Sequence, residues 1–325
     1  MRKFLDYKLS GREVMWPIWG LVILWVVASL LYSLLVVDAD AAATVVDGAW
    51  GLRMLAFVAL AWGCSVAASL LLFPLCRKSM EAAGMDGERV ETTYDFGEYV
   101  KLTLVGSLLT VVTLGIYSPW YMVKLTKFFL EGASWRLKYF GFFGKPMSLF
   151  AIVTLGLFLP VIVLSVAMGL TVGGYPEMME SEAAVGVSML ILLLVVLVLA
   201  SAFCMIVSRW MLRLSVGDQR LATDLSIGRG TMFLVGQTLL CVLTMGLYAP
   251  MMELRYCQYL VRSLRCGESE ESPRLGMVLR GWSDWGFVIL QLLIVAVTLG
   301  IYLPWYYGRI LSRFVPRIYV EDGGR

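Results

Sequence analysis

The residue types that most often carry chemistry are thin in this chain. It has no histidine, and its six cysteines, Cys64, Cys76, Cys204, Cys241, Cys257 and Cys266, include no Cys-x-x-Cys pair. Those two facts remove most zinc, haem, Cys/His and Ser/His/Asp chemistry. The acids beside apolar stretches (Asp95, Glu98, Glu131, Glu253, Asp284) are scattered and give no repeated pair for general acid-base work. The expectation is therefore a protein that is not an enzyme, with no catalytic residue, metal or cofactor.

Two patterned sets of residues remain. The first recurs inside apolar runs: Thr113-Leu-Gly115-Ile-Tyr117-Ser-Pro119, Thr154-Leu-Gly156-Leu-Phe158-Leu-Pro160, Thr244-Met-Gly246-Leu-Tyr248-Ala-Pro250 and Thr298-Leu-Gly300-Ile-Tyr302-Leu-Pro304. Glycine weakens a helix and proline removes a donor, so the spacing predicts a break or turn at membrane depth. The second set comes directly after three of these breaks. Trp120 is followed by Lys124 and Lys127, Glu253 by Arg255 and Arg262, and Trp305 by Arg309 and Arg313, with aromatics between. Bases three, four or seven apart share a helical face, which suits an interfacial helix meeting anionic head groups. The plainer reading is a juxtamembrane anchor without recognition.

The elements that must position these residues are set by hydropathy. The 325-residue chain is 59% hydrophobic and 16% charged, with mean hydropathy +0.79, which excludes an ordinary soluble domain. Seven apolar stretches stand out at 16–37, 50–75, 98–122, 147–173, 184–208, 231–252 and 283–308. Each approaches the ~20 residues that cross a ~30 Å hydrocarbon layer. An all-α polytopic membrane protein is expected. The first stretch lacks a small-residue cleavage pattern and reads as a retained helix.

Basic residues collect on the cytoplasmic side of short loops. If all seven stretches cross, the 27 Lys/Arg divide 13 inside and 14 outside, which is no bias. If 98–122, 231–252 and 283–308 instead enter and return, 26 of the 27 are cytoplasmic and only Arg53 is outside. The loops at 38–49 (Asp38, Asp40, Asp47) and 174–183 (Glu177, Glu180, Glu182), acidic and without bases, then become external. Four crossings plus three re-entrant or in-plane segments are expected on this count, with both termini cytoplasmic and the copy at 154–160 a kink in a crossing helix. Seven crossings remain the alternative, favoured by Trp120 and Trp305 falling at the far interface.

A shift of 131 residues superposes Arg89 on Arg220, Gly97 on Gly228, and Thr113, Gly115, Tyr117 and Pro119 on Thr244, Gly246, Tyr248 and Pro250. That register implies two parallel membrane repeats, 1–144 and 145–276, and an appended third broken-helix unit with a tail, 277–325. Short alternating pieces at 136–140, 274–280 and 317–321 are candidate surface strands.

Gly97-Glu98-Tyr99, an apolar helix, Thr113-Leu-Gly-Ile-Tyr-Ser-Pro-Trp120 and a basic aromatic helix together resemble the YjgN-like family of bacterial inner-membrane proteins, a domain of unknown function. The likeness spans roughly 90–325. Met251 departs from the Trp found in the other two copies. The resemblance implies a bacterial inner-membrane location and brings no activity or substrate.

Two functions are carried forward. One is a lipid-interacting or membrane-organising protein, with membrane lipids, anionic ones included, as partners, no nucleic acid, and homo-oligomers open. The alternative is a small-molecule or ion transporter or channel whose broken helices line the path. Against transport stands the lack of His, Asp or Glu in the interiors of the stretches, whose polar residues include Ser107, Thr110, Thr113, Gln237, Thr244, Gln291 and Thr298.

Overall fold

In the computed structural model, the described residues are 2–40, 49–158, 160–162, 165–166, 169, 182–267, 269 and 272–321. The acidic loops expected to be external lie almost wholly outside them. The described chain is mostly helical. Among the described residues three helices are long and apolar enough to cross a membrane: α1 (Met15–Asp40), α2 (Ala49–Glu81) and, later in the chain, the helix Glu182–Met211. Their apolar side chains face outward along much of their length, as in Trp25, Leu55 and Leu193. That is the pattern of helices solvated by lipid rather than by water.

The stretches 98–122, 231–252 and 283–308 are each two helices rather than one. The first gives α3 (Phe96–Val112) and α4 (Ser118–Glu131). After α5 (Pro146–Val153) and α6, the Glu182–Met211 helix, the second gives α7 (Ile227–Leu243) and α8 (Ala249–Arg262). The third gives α9 (Trp282–Val297) and α10 (Leu303–Phe314). In every case a proline stands in the first turn of the second helix, where its missing N–H costs nothing. Thr154–Phe158 behaves differently. It forms a π-helical turn that continues α5, with Gly156 held against Phe203 of α6 so closely that a Cβ would lie 2.8 Å from the ring.

The expectation of an all-α fold is corrected by strands belonging to two sheets. The chain divides into two units, residues 3–140 with 287–318, and residues 141–286 with 1–2 and 319–325. In the first unit, β1 (Arg2–Tyr7) pairs antiparallel with β2 (Ala83–Met85), and β2 with β3 (Glu88–Arg89). The β2–β3 turn, Asp86-Gly87, has φ of 57° and 83°, the two left-handed residues that a two-residue hairpin needs. Further on, β4 (Glu91–Thr92) pairs with β5 (Ala133–Trp135), which pairs with β6 (Lys138–Phe142). In the second unit, β7 (Leu214–Val216) pairs with β8 (Gln219–Arg220), and β9 (Ala222–Thr223) with β10 (Leu264–Arg265) and then β11 (Arg274–Met277). A last strand, β12, is Ile318–Glu321. Three of these fall on the alternating pieces expected as strands. The others are too short for a period of two to register.

Each helix pair leans on one long helix: α3 on α2, α7 on α6, and α10 on α1. The third pair is also clasped by the N-terminal segment. Gly308 of α10 lies against the backbone of Leu9 and Gly11, and the Ser312 hydroxyl donates to the Leu9 carbonyl at 3.3 Å. The third pair, expected as part of an appended unit, thus leans on α1.

Candidate functional site: three apolar-tipped helical hairpins

The Thr-x-Gly-x-Tyr-x-Pro motif builds the same turn three times. Thr113, Thr244 and Thr298 end their helices, and each hydroxyl donates to the carbonyl four residues back, at 2.7, 2.8 and 2.7 Å. The same oxygen accepts the N–H of Tyr117, Tyr248 or Tyr302 at 3.0, 3.1 and 3.2 Å. Two left-handed residues then reverse the chain: Leu114 and Gly115 (φ 51° and 91°), Met245 and Gly246 (50° and 87°), Leu299 and Gly300 (51° and 86°). Gly115 N–H reaches Thr110 O, Gly246 N–H reaches Cys241 O and Gly300 N–H reaches Val295 O, at 2.7, 2.8 and 2.8 Å. Every backbone N–H from Thr113 to Ser118 has an acceptor inside the turn, as do those from Thr244 to Ala249 and from Thr298 to Leu303. The next residue is proline in each case, with no donor to satisfy.

The reversal makes each helix pair an antiparallel hairpin. Tyr99 at the start of α3 packs on Phe128 and Phe129 at the end of α4, with ring centroids 5.7 and 5.6 Å apart. Phe233 of α7 stacks on Tyr259 of α8 at 5.0 Å. In the third hairpin the Arg313 guanidinium lies 4.1 Å from the Phe287 ring centroid. Nearer the turn, the Tyr248 hydroxyl donates to Gln237 Oε1 and the Tyr302 hydroxyl to Gln291 Oε1. The first hairpin has Gly106 where the others have glutamine, and Tyr121 fills the space: a Cβ on Gly106 would fall 2.1 Å from its ring.

At the tips, polarity vanishes. Leu114, Met245 and Leu299 are 94%, 95% and 92% exposed, flanked by exposed Val112 and Ile116, Leu243 and Leu247, and Val297 and Ile301. Behind each tip a cation lies over the motif tyrosine: Lys124 over Tyr117, Arg255 over Tyr248 and Arg309 over Tyr302, at 5.7, 5.7 and 5.5 Å from the ring centroids. Helical side chains lean toward the helix N-terminus, so all three cations lean toward the turn. Trp120 stacks beside Tyr117 and Trp305 beside Tyr302, each at 6.3 Å, with Met251 in the corresponding place of the second hairpin.

Of the six bases expected at head groups, the structure therefore brings Lys124, Arg255 and Arg309 into one recurrent arrangement. Lys127 and Arg262 stand exposed outside it, and Arg313 is used on Phe287. The Gln-Tyr link across the second and third hairpins has no signal of its own in the sequence, although Gln237 and Gln291 stand out there as polar residues in apolar runs. At the base of the first hairpin the Tyr94 hydroxyl donates to Phe129 O at 2.7 Å, and burial pushes its pKa up to about 12. Among the described residues no three His, Cys, Asp or Glu side chains gather where a metal ion could be held, and all six cysteines are free thiols.

Compared with known families, residues 87–210 and again 149–273 match a family described as bacterial proteins of unknown function, DUF898. The first match contains the α3–α4 hairpin and the second the α7–α8 hairpin. No curated protein and no solved structure matches the chain.

Proposed function

We infer that this chain, which belongs to the bacterial family of unknown function DUF898, is a lipid-interacting, membrane-organising protein of the inner membrane. Its long helices cross the bilayer, and its three hairpins dip into the cytoplasmic leaflet and return. It acts without catalysis, and membrane lipids are its partners.

The observation that carries this reading is the tip: a nearly fully exposed apolar residue on a turn whose backbone donors are all satisfied internally. In water such a tip has no reason to be apolar. In hydrocarbon each buried Leu or Met side chain contributes about 1.5–3 kcal/mol, while a single unsatisfied amide would cost about 2–7 kcal/mol and cancel it. The threonine hydroxyl, the left-handed glycine and the donorless proline together remove that cost, which is the condition for non-helical backbone at membrane depth.

The spacing supports a depth. Lys124, Arg255 and Arg309 each come six positions after the first residue of their helix, a rise of about 9 Å at 1.5 Å per residue, against ~15 Å for half of the hydrocarbon core. A tip within the cytoplasmic half of the core, short of the midplane, would thus leave its cation at the head groups. The charge count agrees, since hairpins that return keep 26 of 27 bases on one side. Hairpins of this kind add volume to one leaflet only, which is the sense in which the protein organises a membrane.

The polar groups of the hairpins weigh against a permeation path. Gln237 and Gln291 are used on tyrosines, and Thr110, Thr113, Thr238, Thr244 and Thr298 turn their hydroxyls to their own helix backbone. Single cysteines placed through 128–140 test the topology: they are expected to resist a membrane-impermeant thiol reagent applied from the external side. Efficient external labelling would mean full crossing and would end this reading.

A further inference from the structure

The three cation-tyrosine pairs ask for a ligand that the turn itself does not supply. Lys124, Arg255 and Arg309 are exposed, and none of them enters an ion pair among the described residues, where the paired bases include Lys3, Arg77, Arg136 and Arg265. Each is instead held over one face of a tyrosine ring that is itself fixed, by Gln237 in the second hairpin and Gln291 in the third. A cation held against a ring keeps most of its N–H donors pointing away, and a guanidinium presents them as a fork that matches two oxygens of a phosphate.

We propose that each Tyr-Lys/Arg pair is a binding site for the phosphodiester of an anionic phospholipid, giving three head-group sites per chain. This rests on the lipid reading above and narrows it from six bases to three. The sites are unequal. Arg255 and Arg309 offer the two-oxygen fork. Lys124 offers a point charge and already donates one proton to the Tyr117 hydroxyl at 3.0 Å, so the first hairpin is the weakest site.

Native mass spectrometry of the detergent-purified protein with added phosphatidylglycerol, phosphatidylcholine or inorganic phosphate tests this. Up to three phosphatidylglycerol molecules are expected to survive gentle activation, against few or none of the other two. Arg255→Gln and Arg309→Gln each remove one of the tightly held lipids, and the triple variant with Lys124→Gln lowers retention at least about tenfold, the scale of a lost charge-assisted phosphate contact. Arg89→Gln with Lys138→Gln, which removes two exposed cations away from the hairpins, leaves retention unchanged. Arg255→Lys with Arg309→Lys keeps the fold and the charge and is expected to give an intermediate loss. Equal retention of phosphatidylglycerol and phosphatidylcholine, occupancy by inorganic phosphate alone, or wild-type retention in the triple variant would each overturn the proposal. A spin label at residue 245 reads hairpin depth separately. A buried label with unchanged lipid retention rejects these sites while leaving the hairpin reading intact.

Discussion

The hydroxyl of Tyr248 donates a 2.7 Å hydrogen bond to Gln237 Oε1 across the second hairpin, eleven residues back along the chain. Tyr302 and Gln291 repeat it at 2.6 Å in the third. Both glutamines are buried, at 8% and 3% exposure, so the bond closes each hairpin where water cannot substitute. Gln237→Leu leaves the tyrosine hydroxyl without its acceptor and is expected to cost about 1–3 kcal/mol. Adding Tyr248→Phe should recover much of that loss, because both polar partners are then gone and the ring under Arg255 remains. Thermal unfolding of the single and double variants in detergent checks it. A double variant no more stable than Gln237→Leu would show that the bond does not close the hairpin.

The first hairpin lacks this bond and depends on fit. Gly106→Ala places a methyl 2.1 Å from the Tyr121 ring and is expected to destabilise by about 1–3 kcal/mol through overpacking. Tyr121 corresponds to Met252 in the second hairpin. Tyr121→Met should therefore relieve the clash, and the measurable signature is a double variant more stable than Gly106→Ala alone.

The threonines are replaceable only by a hydroxyl. Thr298→Val keeps size and shape but leaves the Tyr302 N–H without the oxygen that accepts it at 3.2 Å, whereas Thr298→Ser keeps both bonds. In lipid the valine variant should be less stable than serine by about 1–3 kcal/mol. Gly300→Ala, at φ 86°, carries backbone strain of about 1–2 kcal/mol. Forced or chemical unfolding in bilayers ranks these three, and valine equal to serine would mean that the turn is wet.

Tyr94 supplies a pH dependence. Its pKa is pushed up to about 12, chiefly by burial, from the free value near 10. A raised acid pKa means that the folded form holds the proton more tightly, so the stability tied to it is complete below pH ~10 and is lost progressively as pH rises toward 12. Tyr94→Phe, which cannot ionise, should show a shallower loss of the first unit between pH 10 and 12. Parallel curves would place the alkaline transition elsewhere.

The legible part of this fold is the part in which single residue types have single backbone duties. Thr113, Gly115 and Pro119 announce a break because each handles one donor or one dihedral, and the repetition of that spacing marks Thr244 and Thr298 as its equivalents. The copy at Thr154 keeps the threonine, glycine and proline, with Phe158 in place of the tyrosine, yet stays helical, packed against Phe203. Its local hint is the uncharged, mainly apolar run from Val161 to Val172, which continues where the other three copies turn to basic and aromatic residues. Strands of two or three residues such as β3 and β8 lie below the reach of periodicity, although Asp86-Gly87 is a hairpin signal in plain view. The links Tyr248 to Gln237 and Tyr302 to Gln291 are invisible in the sequence, because a spacing of eleven acquires meaning only once the chain has reversed.

The most direct measurement of the central claim is the depth of the second tip. A nitroxide on Met245→Cys in reconstituted bilayers reports collision with oxygen, which concentrates in the hydrocarbon, and with a polar nickel chelate, which does not. A hairpin that enters from the cytoplasmic side and returns predicts a label about 10 Å below the head groups, high in oxygen exposure and shielded from the chelate on both faces. Strong exposure to chelate added on the external face would place the tip at the far interface and contradict the account.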